Sequence, residues 1–459
     1  MNLSLNKNPA LTLWMDTNSS FATTEQQSRP LLRNRVVGVG KYVNPNGPVI
    51  SISPEAKAAG LKGINTVRDC KLLCPEIVII KSDPPKYREM YSRMVRIMQR
   101  WSPEVKGMSI DEMCVNFAGN PALKRMTMQE IGMKIKEQVR EECGEYMRVS
   151  IGIAPNQFLA KTAAGMRKPD GLVTIDHTNL REALSAHELD GLCGINKKNK
   201  GRLNRAGIFT PLEFLDAEAD FLHKQVFGSV VGRYWSLMLH GYEHQSYIGL
   251  ERKSYNNSHS IREQSVDPEP NLSILCRLCE EASRRMRRDR YSCRTLVIYL
   301  FYADGTYFKE LHTSRTFLYS TKEIFTRATL LFNRQKEWKR IHKIAVRLYN
   351  LGEGAHEQLN LFEDDHGKQR KAMDAADRIN LKYGRTAIYI GPIHYAIGRI
   401  DDSISFGSTG DVHQLMEELD AVESFDDMEE DIFFEDGFPM GAIKDIPIKS
   451  KNDIGRIGV

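Results

Sequence analysis

The feature that most constrains the fold is the alternation of short apolar stretches with helical patterns between residues 10 and 171. The segments "ALTLWMD" (10–16), "RVVGVG" (35–40) and "VISIS" (49–53) have the length and residue types of strands. "PKYREMYSRMVRIMQRW" (85–101) places apolar residues at helical spacing. The same criteria predict strands over 74–80 and 147–154 and helices over 127–145 and 156–168. This order predicts a mixed α/β or α+β unit.

The rest of the chain has a different pattern. At 459 residues the chain is too long for one hydrophobic core and long enough for about two to four domains. Residues 176–250 are typical of short helices, and a long helical pattern covers about 268–290. The stretches "RTLVIYLFYADGTYFKELH" and "HKIAVRLYNL" then predict a small α+β domain, with "ADG" as a turn. A polar linker after Leu351, a helix over about 368–382 and an acidic tail follow.

The net charge of +5 is unevenly distributed. "RRMRRDRYSCR" (284–294) is strongly basic, whereas residues 411–442 contain no Lys or Arg and residues 417–436 are rich in acids. A basic body with an acidic tail favours a polyanion as the partner of the body. Within the basic run, contact with the polyanion and a solvated helix face are both open interpretations.

The cysteines and the N-terminus indicate the compartment. Eight cysteines are too few for a secreted disulfide scaffold. The pair in "CRLC" (276–279) has no second pair and lies in a helical pattern, which favours structural thiols over a metal site. "MNLSLNKNPALTLWMD" lacks a signal-peptide pattern, and no apolar run reaches membrane length. These features predict a cytoplasmic protein with reduced thiols and no membrane partner.

Two adjacent acids, Asp111 and Glu112, stand among apolar and small residues in "WSPEVKGMSIDEMCVNFAGNP" (101–121). Neighbouring residues of a regular strand point to opposite faces, so the two acids can share a ligand only at a turn or distortion. The pattern fits a hairpin with the acids near its tip, and Asp16 ends the first strand. Clustered carboxylates raise each other's pKa unless a cation neutralises them, and hard oxygen ligands suit Mg²⁺. Solvated acids at strand ends are the alternative.

Two lysines bear on that choice. Lys168 in "KPDG" (168–171) stands at a helix end before a turn, where it can meet a phosphate. Lys57 in "EAKAAGLK" (55–62) lies on a predicted helix beside the second strand pair. With the acids, they would make a site for a metal-bound triphosphate, whereas each lysine alone is better explained as a surface charge.

Four blocks, in order, resemble the Y-family (translesion) DNA polymerases. "MDTNSSFATTEQ" (15–26) and "MSIDE" (108–112) are similar to the two metal motifs. "VSIGIAPNQFLAKTAAGMRKPDG" (149–171) resembles the palm signature, and "LDGLCGINKKNKGRLNRAGIFT" (189–210) resembles the thumb's helix-hairpin-helix. Asn18 and "SPEAKAAGLK" further resemble the branch of UmuC, the catalytic subunit of DNA polymerase V. The implied fold is an α+β multidomain, right-hand-like polymerase with palm, fingers, helical thumb, little finger and a C-terminal tail.

The resemblance implies roles for individual residues. Asp16, Asp111 and Glu112 become catalytic metal ligands, with the Thr17 carbonyl as a backbone ligand, for two Mg²⁺ ions that Mn²⁺ can replace. Phe21 takes the place of the steric gate that excludes a ribose 2′-hydroxyl. Lys57 and Lys168 take triphosphate-binding places. The sequence departs from the family where Ser20 replaces an aromatic residue. Pro54 and Lys57 stand where some branches have a tyrosine and an arginine over the triphosphate, although a lysine there suits the UmuC branch. Glu25 matches a family acid and has no assigned role.

The implied partners are primer-template DNA, dNTP and the bacterial sliding clamp, with accessory subunits or a recombinase left open. The basic turn "GLCGINKKNKGRL" offers a DNA-binding group made up of Lys197, Lys198, Lys200 and Arg202, with an ordinary solvated loop as the alternative. "EQLNLFEDD" (357–365) resembles the clamp-binding motif through Gln358, Leu359, Leu361 and Phe362, with a buried strand as the alternative. For residues 415–437, disorder, a partner site and competition with DNA for the basic body are open.

The resemblance also gives expected domain boundaries and activity. The segments are palm 1–30, fingers 31–84, palm 85–175, thumb 176–250, little finger 251–350, and linker with clamp motif and acidic tail 351–459. The expected activity is template-directed translesion DNA synthesis. The alternatives are a catalytically silent adaptor that binds clamp and DNA, and a metal-dependent helix-hairpin-helix repair nuclease.

Overall fold

The computed structural model describes residues 3–62, 65–244, 254–261, 264–353, 365–383 and 387–397. The expected clamp motif (358–362) and the acidic tail lie outside these ranges. No helix within them is both long enough and apolar enough to cross a bilayer.

The described elements, in chain order, are β1 (Thr12–Thr17), α1 (Ser20–Ser28), β2 (Val37–Gly40), β3 (Val49–Ile52), α2 (Pro54–Ala58), α3 (Val67–Leu73), β4 (Val78–Lys81), α4 (Pro84–Gln99), β5 (Lys106–Gly107), β6 (Glu112–Asn116), α5 (Met128–Cys143), β7 (Val149–Ala154), α6 (Gln157–Met166), β8 (Leu172–Thr174), α7 (Leu180–Ser185), α8 (Lys197–Arg205), α9 (Pro211–Asp216), α10 (Ala219–Phe221), α11 (Val231–Leu239), β9 (Ser254–Ser260), α12 (Pro268–Arg288), β10 (Tyr291–Tyr302), β11 (Tyr307–Leu318), α13 (Thr321–Phe332), β12 (Ile341–Glu353) and α14 (Asp365–Tyr383).

β1 is the central strand of the first sheet, whose order is β5-β6-β1-β7-β8. It pairs antiparallel with β6 and β7, while β8 runs parallel to β7. α6 packs on β7 so closely that a Cβ at Gly152 would lie 1.9 Å from the carbonyl oxygen of Ala160. Only glycine fits there, and this close approach fixes α6 against the strands that carry the candidate site. The predicted alternation of strands and helices is confirmed in this region.

A second sheet, with order β3-β2-β4, lies between α1 and α4 in the sequence. Ser51 joins it to α1, since its hydroxyl accepts from the Ala22 N–H at 3.4 Å and donates to the Ser19 carbonyl at 3.3 Å. The predicted start of its last strand at residue 74 is wrong. The Ile77 N–H bonds to the Cys74 carbonyl at 3.1 Å, which makes a turn before the strand begins at Val78.

The short helices α7 to α11 share a hydrophobic core with α6. Leu203, Phe214 and Trp235 are buried there, and the ring of Phe158 on α6 meets Trp235 edge-on at 5.5 Å. The buried Asn156 amide donates to the carbonyls of Met238 (2.8 Å) and of residue 242 (2.9 Å). These contacts hold the helical region against the first sheet.

The third sheet has the order β11-β10-β12-β9 and carries α12 and α13 on one face. Alternate residues of β10, including Leu296, Ile298 and Leu300, enter the core beneath these helices. The predicted turn at "ADG" is confirmed, with Gly305 at φ +83°. The cysteines of "CRLC" are buried in α12, and burial raises the pKa of Cys279 well above its ordinary value.

The basic run at the end of α12 is engaged in ion pairs within the protein. Arg287 is buried and binds both carboxylate oxygens of Asp377 on α14, at 2.7 and 2.9 Å. Arg284 pairs with Glu280 at 3.5 Å. The predicted helix over 368–382 is confirmed as α14. The charge of Arg287 is paired within the protein, so neither interpretation of the basic run, solvation or contact with a polyanion, applies to Arg287.

Candidate active site

Three acids lie at one edge of the first sheet. Asp16 is next to last in β1 and stands opposite Glu112, the first residue of β6. The Thr17 N–H donates to the carbonyl of Asp111 at 2.8 Å. The hairpin expected from the sequence is present as β5 and β6, with the acids at its turn. Strand pairing thus brings together residues that are almost a hundred positions apart.

The turn before β6 explains how two adjacent acids share one environment. The Ser109 hydroxyl donates to Asp111 Oδ1 and lies 3.3 Å from Glu112 Oε2. The Asp111 N–H donates to the Ser109 hydroxyl oxygen at 3.3 Å. Because Asp111 precedes the regular strand, strand alternation does not separate its side chain from that of Glu112.

Burial raises the pKa of the Asp16 carboxyl to about 6. The nearby Lys168 ammonium opposes this rise, and the charges of Glu112 and Asp111 add to it. Burial also raises the pKa of Asp111, against the hydrogen bond from Ser109. Half-buried carboxylates that repel one another are a site with affinity for positive charge.

Two lysines supply positive charge to these acids. Lys168 Nζ lies 2.6 Å from Asp16 Oδ2. Lys161 Nζ lies 2.7 Å from Glu112 Oε1 and 2.8 Å from Glu112 Oε2. Sequence reasoning identified Lys168 but missed Lys161. No signal in the sequence pointed to Lys161, because its partner Glu112 is 49 positions away along the chain.

Lys57 lies within electrostatic reach of the same group. Burial lowers its pKa, as does repulsion by Lys168, while Asp16 and Asp111 oppose the shift. Lys57 is on α2, which begins at Pro54 after the Ser53 hydroxyl caps it by accepting from the Ala56 N–H at 3.2 Å. Proline suits a first helical position because its φ is preset and it needs no hydrogen-bond donor. The Pro54 departure therefore helps to form the helix that carries Lys57.

The oxygen donors of this edge fit a hard divalent cation such as Mg²⁺. The raised pKa of Asp16 is consistent with that fit, because a cation would favour the ionised carboxylate. Among the residues that the structure describes, no three His, Cys, Asp or Glu side chains already form a metal cage. Asp16 and Glu112 are instead paired with lysines. The convergence of all three acids on shared cations, and the Thr17 carbonyl as a ligand, stay predictions.

Phe21 lies on α1, close in sequence to Asp16, and is 1% exposed. Its ring stacks on Tyr87 of α4 with centroids 4.4 Å apart and planes 13° apart. The Tyr87 hydroxyl donates to Glu25 Oε1 at 3.0 Å, and Lys86 Nζ lies 2.9 Å from Glu25 Oε2. Glu25 thus has a structural explanation that the sequence did not provide. It fixes the aromatic residue that supports Phe21.

A buried network holds the loop that carries Lys168. Asn18 Oδ1 accepts from the Asp170 N–H at 2.7 Å, and Asn18 Nδ2 lies 3.0 Å from the Ser150 hydroxyl. Lys136, itself buried, lies 3.2 Å from Asp170 Oδ1. The loop is therefore tied to the residue that follows β1, to β7 and to α5, which limits where Lys168 can reach.

The predicted DNA-binding turn approaches the acid edge (Asp16, Asp111 and Glu112) through Cys193, which lies within electrostatic reach of Lys161 and Glu112. It precedes and begins α8, whose N-terminus is capped by Asn196. Lys197, Lys198 and Arg202 are exposed, whereas Lys200 pairs with Asp190 at 2.8 Å and with residue 188 at 3.2 Å. Three of the four basic residues therefore present their charge to solvent.

Comparison with known proteins identifies the family. Residues 15–165 match the impB/mucB/samB family and residues 252–361 match its C-terminal domain. DNA polymerase IV of Pelotomaculum thermopropionicum is 31% identical over 384 residues, which cover 82% of this chain and 93% of that protein. This chain belongs to the Y-family of DNA polymerases. DNA polymerase IV 1 of Bacillus subtilis is 29% identical, over 82% of this Y-family chain and 91% of that protein.

Solved Y-family structures confirm the expected fold class. A Y-family chimera of Dbh and Dpo4 matches with a TM-score of 0.63 at 21% identity, over 74% of this chain and 98% of that chain. An insertion ternary complex of Dbh DNA polymerase matches with a TM-score of 0.54 over the same shares. The named relatives are DNA polymerases IV, so they do not confirm the UmuC branch expected from Asn18.

Proposed function

We propose that this protein is a DNA-directed DNA polymerase that extends a primer 3′-hydroxyl with deoxynucleoside triphosphates in DNA damage tolerance. The observation that carries the proposal is that lysine side chains lie close to the acids at the edge of the first sheet. Lys57 and Lys168 exert their charge on Asp16 and Asp111, and Lys161 pairs with Glu112. Carboxylates and ammonium groups together match the mixed charge of a metal-bound triphosphate.

We infer that two Mg²⁺ ions, or Mn²⁺ in their place, bind to Asp16, Asp111, Glu112 and the Thr17 carbonyl. When bound, such ions activate the attacking hydroxyl and neutralise charge on the phosphates. The chain itself supplies alignment. Its carboxylates would hold the cations at one edge of the sheet, where the hydroxyl and the α-phosphate could be aligned for in-line attack.

We propose that Lys168 and Lys57 bind the triphosphate. The Lys168 side chain is 42% exposed, so its ammonium group can exchange Asp16 for a phosphate oxygen while the loop backbone stays in place. Phe21 is proposed as the steric gate. Its support by Tyr87 is the kind of rigid backing that exclusion of a single 2′-hydroxyl requires, because a mobile ring would yield to the extra oxygen.

DNA binding is proposed on two surfaces. The first is the exposed turn with Lys197, Lys198 and Arg202. The second is the open face of the third sheet, where Lys309, Lys343 and Arg347 stand beside aromatic rings of the same face. Cations without base-specific partners bind the phosphate backbone irrespective of sequence, as a polymerase requires.

The domain scheme expected from the sequence is carried forward as part of this proposal. The first sheet would be the palm, the second sheet the fingers, α7 to α11 the thumb and the third sheet the little finger. Membership of the UmuC branch is proposed on Asn18 and "SPEAKAAGLK" alone. Clamp binding through residues 358–362, and any accessory subunit or recombinase, rest on sequence only. A cytoplasmic, nucleoid-associated location would follow from action on chromosomal DNA.

Primer extension tests the proposal. Wild-type protein with dNTPs and Mg²⁺ should lengthen a labelled primer on damaged and undamaged templates, and Asp111→Ala should not. DNA binding by Asp111→Ala, measured by fluorescence anisotropy, should stay near the wild-type value. Wild-type protein that binds DNA without extending it would instead support the silent adaptor. Shortening of the strand would support a nuclease.

A further inference from the structure

Lys161 holds both oxygens of a proposed metal ligand. Its ammonium group lies 2.7 and 2.8 Å from the two carboxylate oxygens of Glu112. The same group lies 4.8 Å from the ring centroid of Trp14, which is 3% exposed in β1. A cation fixed by an ion pair on one side and an aromatic face on the other loses much of its freedom to reorient.

Lys161 and Lys168 differ in this respect. Lys161 lies within α6, and its side chain is 31% exposed. Lys168 stands on a loop, and its side chain is 42% exposed. Lys168 can therefore exchange partners easily, whereas Lys161 stays beside Glu112. Any cation that binds Glu112 must share its oxygens with Lys161 or displace it.

We propose that Lys161 is a positioning residue that competes with divalent cations for Glu112 and thereby keeps the cation affinity of the free enzyme low. The inference rests on the proposed function, because it takes Glu112 as a metal ligand. Electrostatics and sterics act in the same direction. The ammonium group repels an approaching cation and occupies the oxygens that the cation needs.

The consequence is specific to the charge of Lys161. Loss of the charge with retention of the side-chain length should free Glu112 and tighten cation binding by about fivefold, the effect expected for one partly exposed ion pair. A role limited to packing on Trp14 would leave cation affinity unchanged.

Mn²⁺ binding to the full-length protein, followed by electron paramagnetic resonance without nucleotide, tests the inference. Lys161→Met keeps the aliphatic stem over Trp14 and should bind Mn²⁺ about fivefold more tightly than wild type. Lys161→Arg keeps a competing cation and should bind Mn²⁺ as wild type does. Lys134→Met, which removes an exposed lysine from α5, is the matched control. Lys161→Gln is the second uncharged variant should Lys161→Met fail to fold.

The outcomes separate this inference from the proposed function. Unchanged or weaker Mn²⁺ binding by Lys161→Met, in a preparation whose wild type extends primers, overturns the competition alone. Wild-type protein that neither binds Mn²⁺ nor extends primers overturns both. Tighter binding by Lys161→Met but not by Lys161→Arg or Lys134→Met supports the competition.

Discussion

Asp16→Asn should make the cation-free protein more stable at pH 7.5. Burial raises the pKa of Asp16 from its ordinary 3.8 to about 6, even with Lys168 beside it. Each unit of pKa is worth about 1.4 kcal/mol, so keeping this carboxylate ionised in the folded state costs up to about 3 kcal/mol. The side chain is 15% exposed, so solvent relieves little of that cost. Asparagine has nearly the same shape and no charge, which removes the cost.

The pH dependence gives the sign of the effect. Between about pH 4 and 6 the folded protein holds a proton on Asp16 that the unfolded chain has released. The contribution of Asp16 to stability is therefore largest below pH 4, falls as the pH rises through this window, and reaches its unfavourable limit above pH 6. The difference between Asp16→Asn and wild type should be near zero at pH 4 and largest at pH 7.5.

Thermal unfolding in EDTA at several pH values measures this difference. For a unit of about 150–250 residues, a gain of up to about 3 kcal/mol in the free energy of unfolding raises Tm by up to about 10 °C. Saturating Mn²⁺ should reduce the difference in stability between Asp16→Asn and wild type, because the cation offsets the charge of wild-type Asp16. Asp304→Asn is the matched control, since hydrogen bonds from Thr306 and from Lys339 lower the pKa of that exposed carboxyl to about 2 and the substitution removes favourable contacts. Equal or lower stability of Asp16→Asn at pH 7.5 would refute the reasoning.

Three further predictions follow from the same contacts. Lys168→Ala should raise KM for dNTP by about tenfold in steady-state primer extension, with a smaller change in kcat, because a charge-assisted contact to phosphate is lost. Phe21→Ala should admit ribonucleotides, as measured by the ratio of rNTP to dNTP incorporation, and it should lower stability by about 3–5 kcal/mol because the ring is buried. Asp377→Ala should lower stability by about 2–3 kcal/mol in urea unfolding because Arg287 is left buried without its carboxylate, and Arg287→Met combined with Asp377→Leu should recover part of that loss. Unchanged sugar selectivity would remove the gate role from Phe21, and an unaltered urea midpoint would show that α14 does not depend on this pair.

Much of the local structure could be predicted from the sequence. The helix over Pro84–Gln99 and the strand over Thr12–Thr17 follow from apolar periodicity, which depends only on neighbours along the chain. The predicted start of β4 was wrong because residues Cys74–Ile77 form a turn despite their apolar pattern. Boundaries are set by hydrogen bonds of the turn, and periodicity does not report them.

The candidate site was only partly predictable. Asp111 and Glu112 could be named because adjacent acids in an apolar stretch are unusual, and Asp16 because it ends a predicted strand and lies in a block that resembles the first metal motif. Lys161 could not be named because its partner Glu112 is distant along the chain and its aromatic neighbour Trp14 is on another strand. Likewise, "RRMRRDR" has the composition of a nucleic-acid surface, yet Arg287 is buried against Asp377.

The sequence by itself determined which segments become helices and strands, apart from where some of them begin, and which acids are candidates for metal binding. The tertiary structure alone decided which cations stand beside those acids and which basic residues remain exposed. The physical reason is the distance along the chain over which each interaction acts. Periodicity and turn chemistry act over a few residues, whereas an ion pair depends on the packing of whole strands and helices that bring distant side chains within 3 Å.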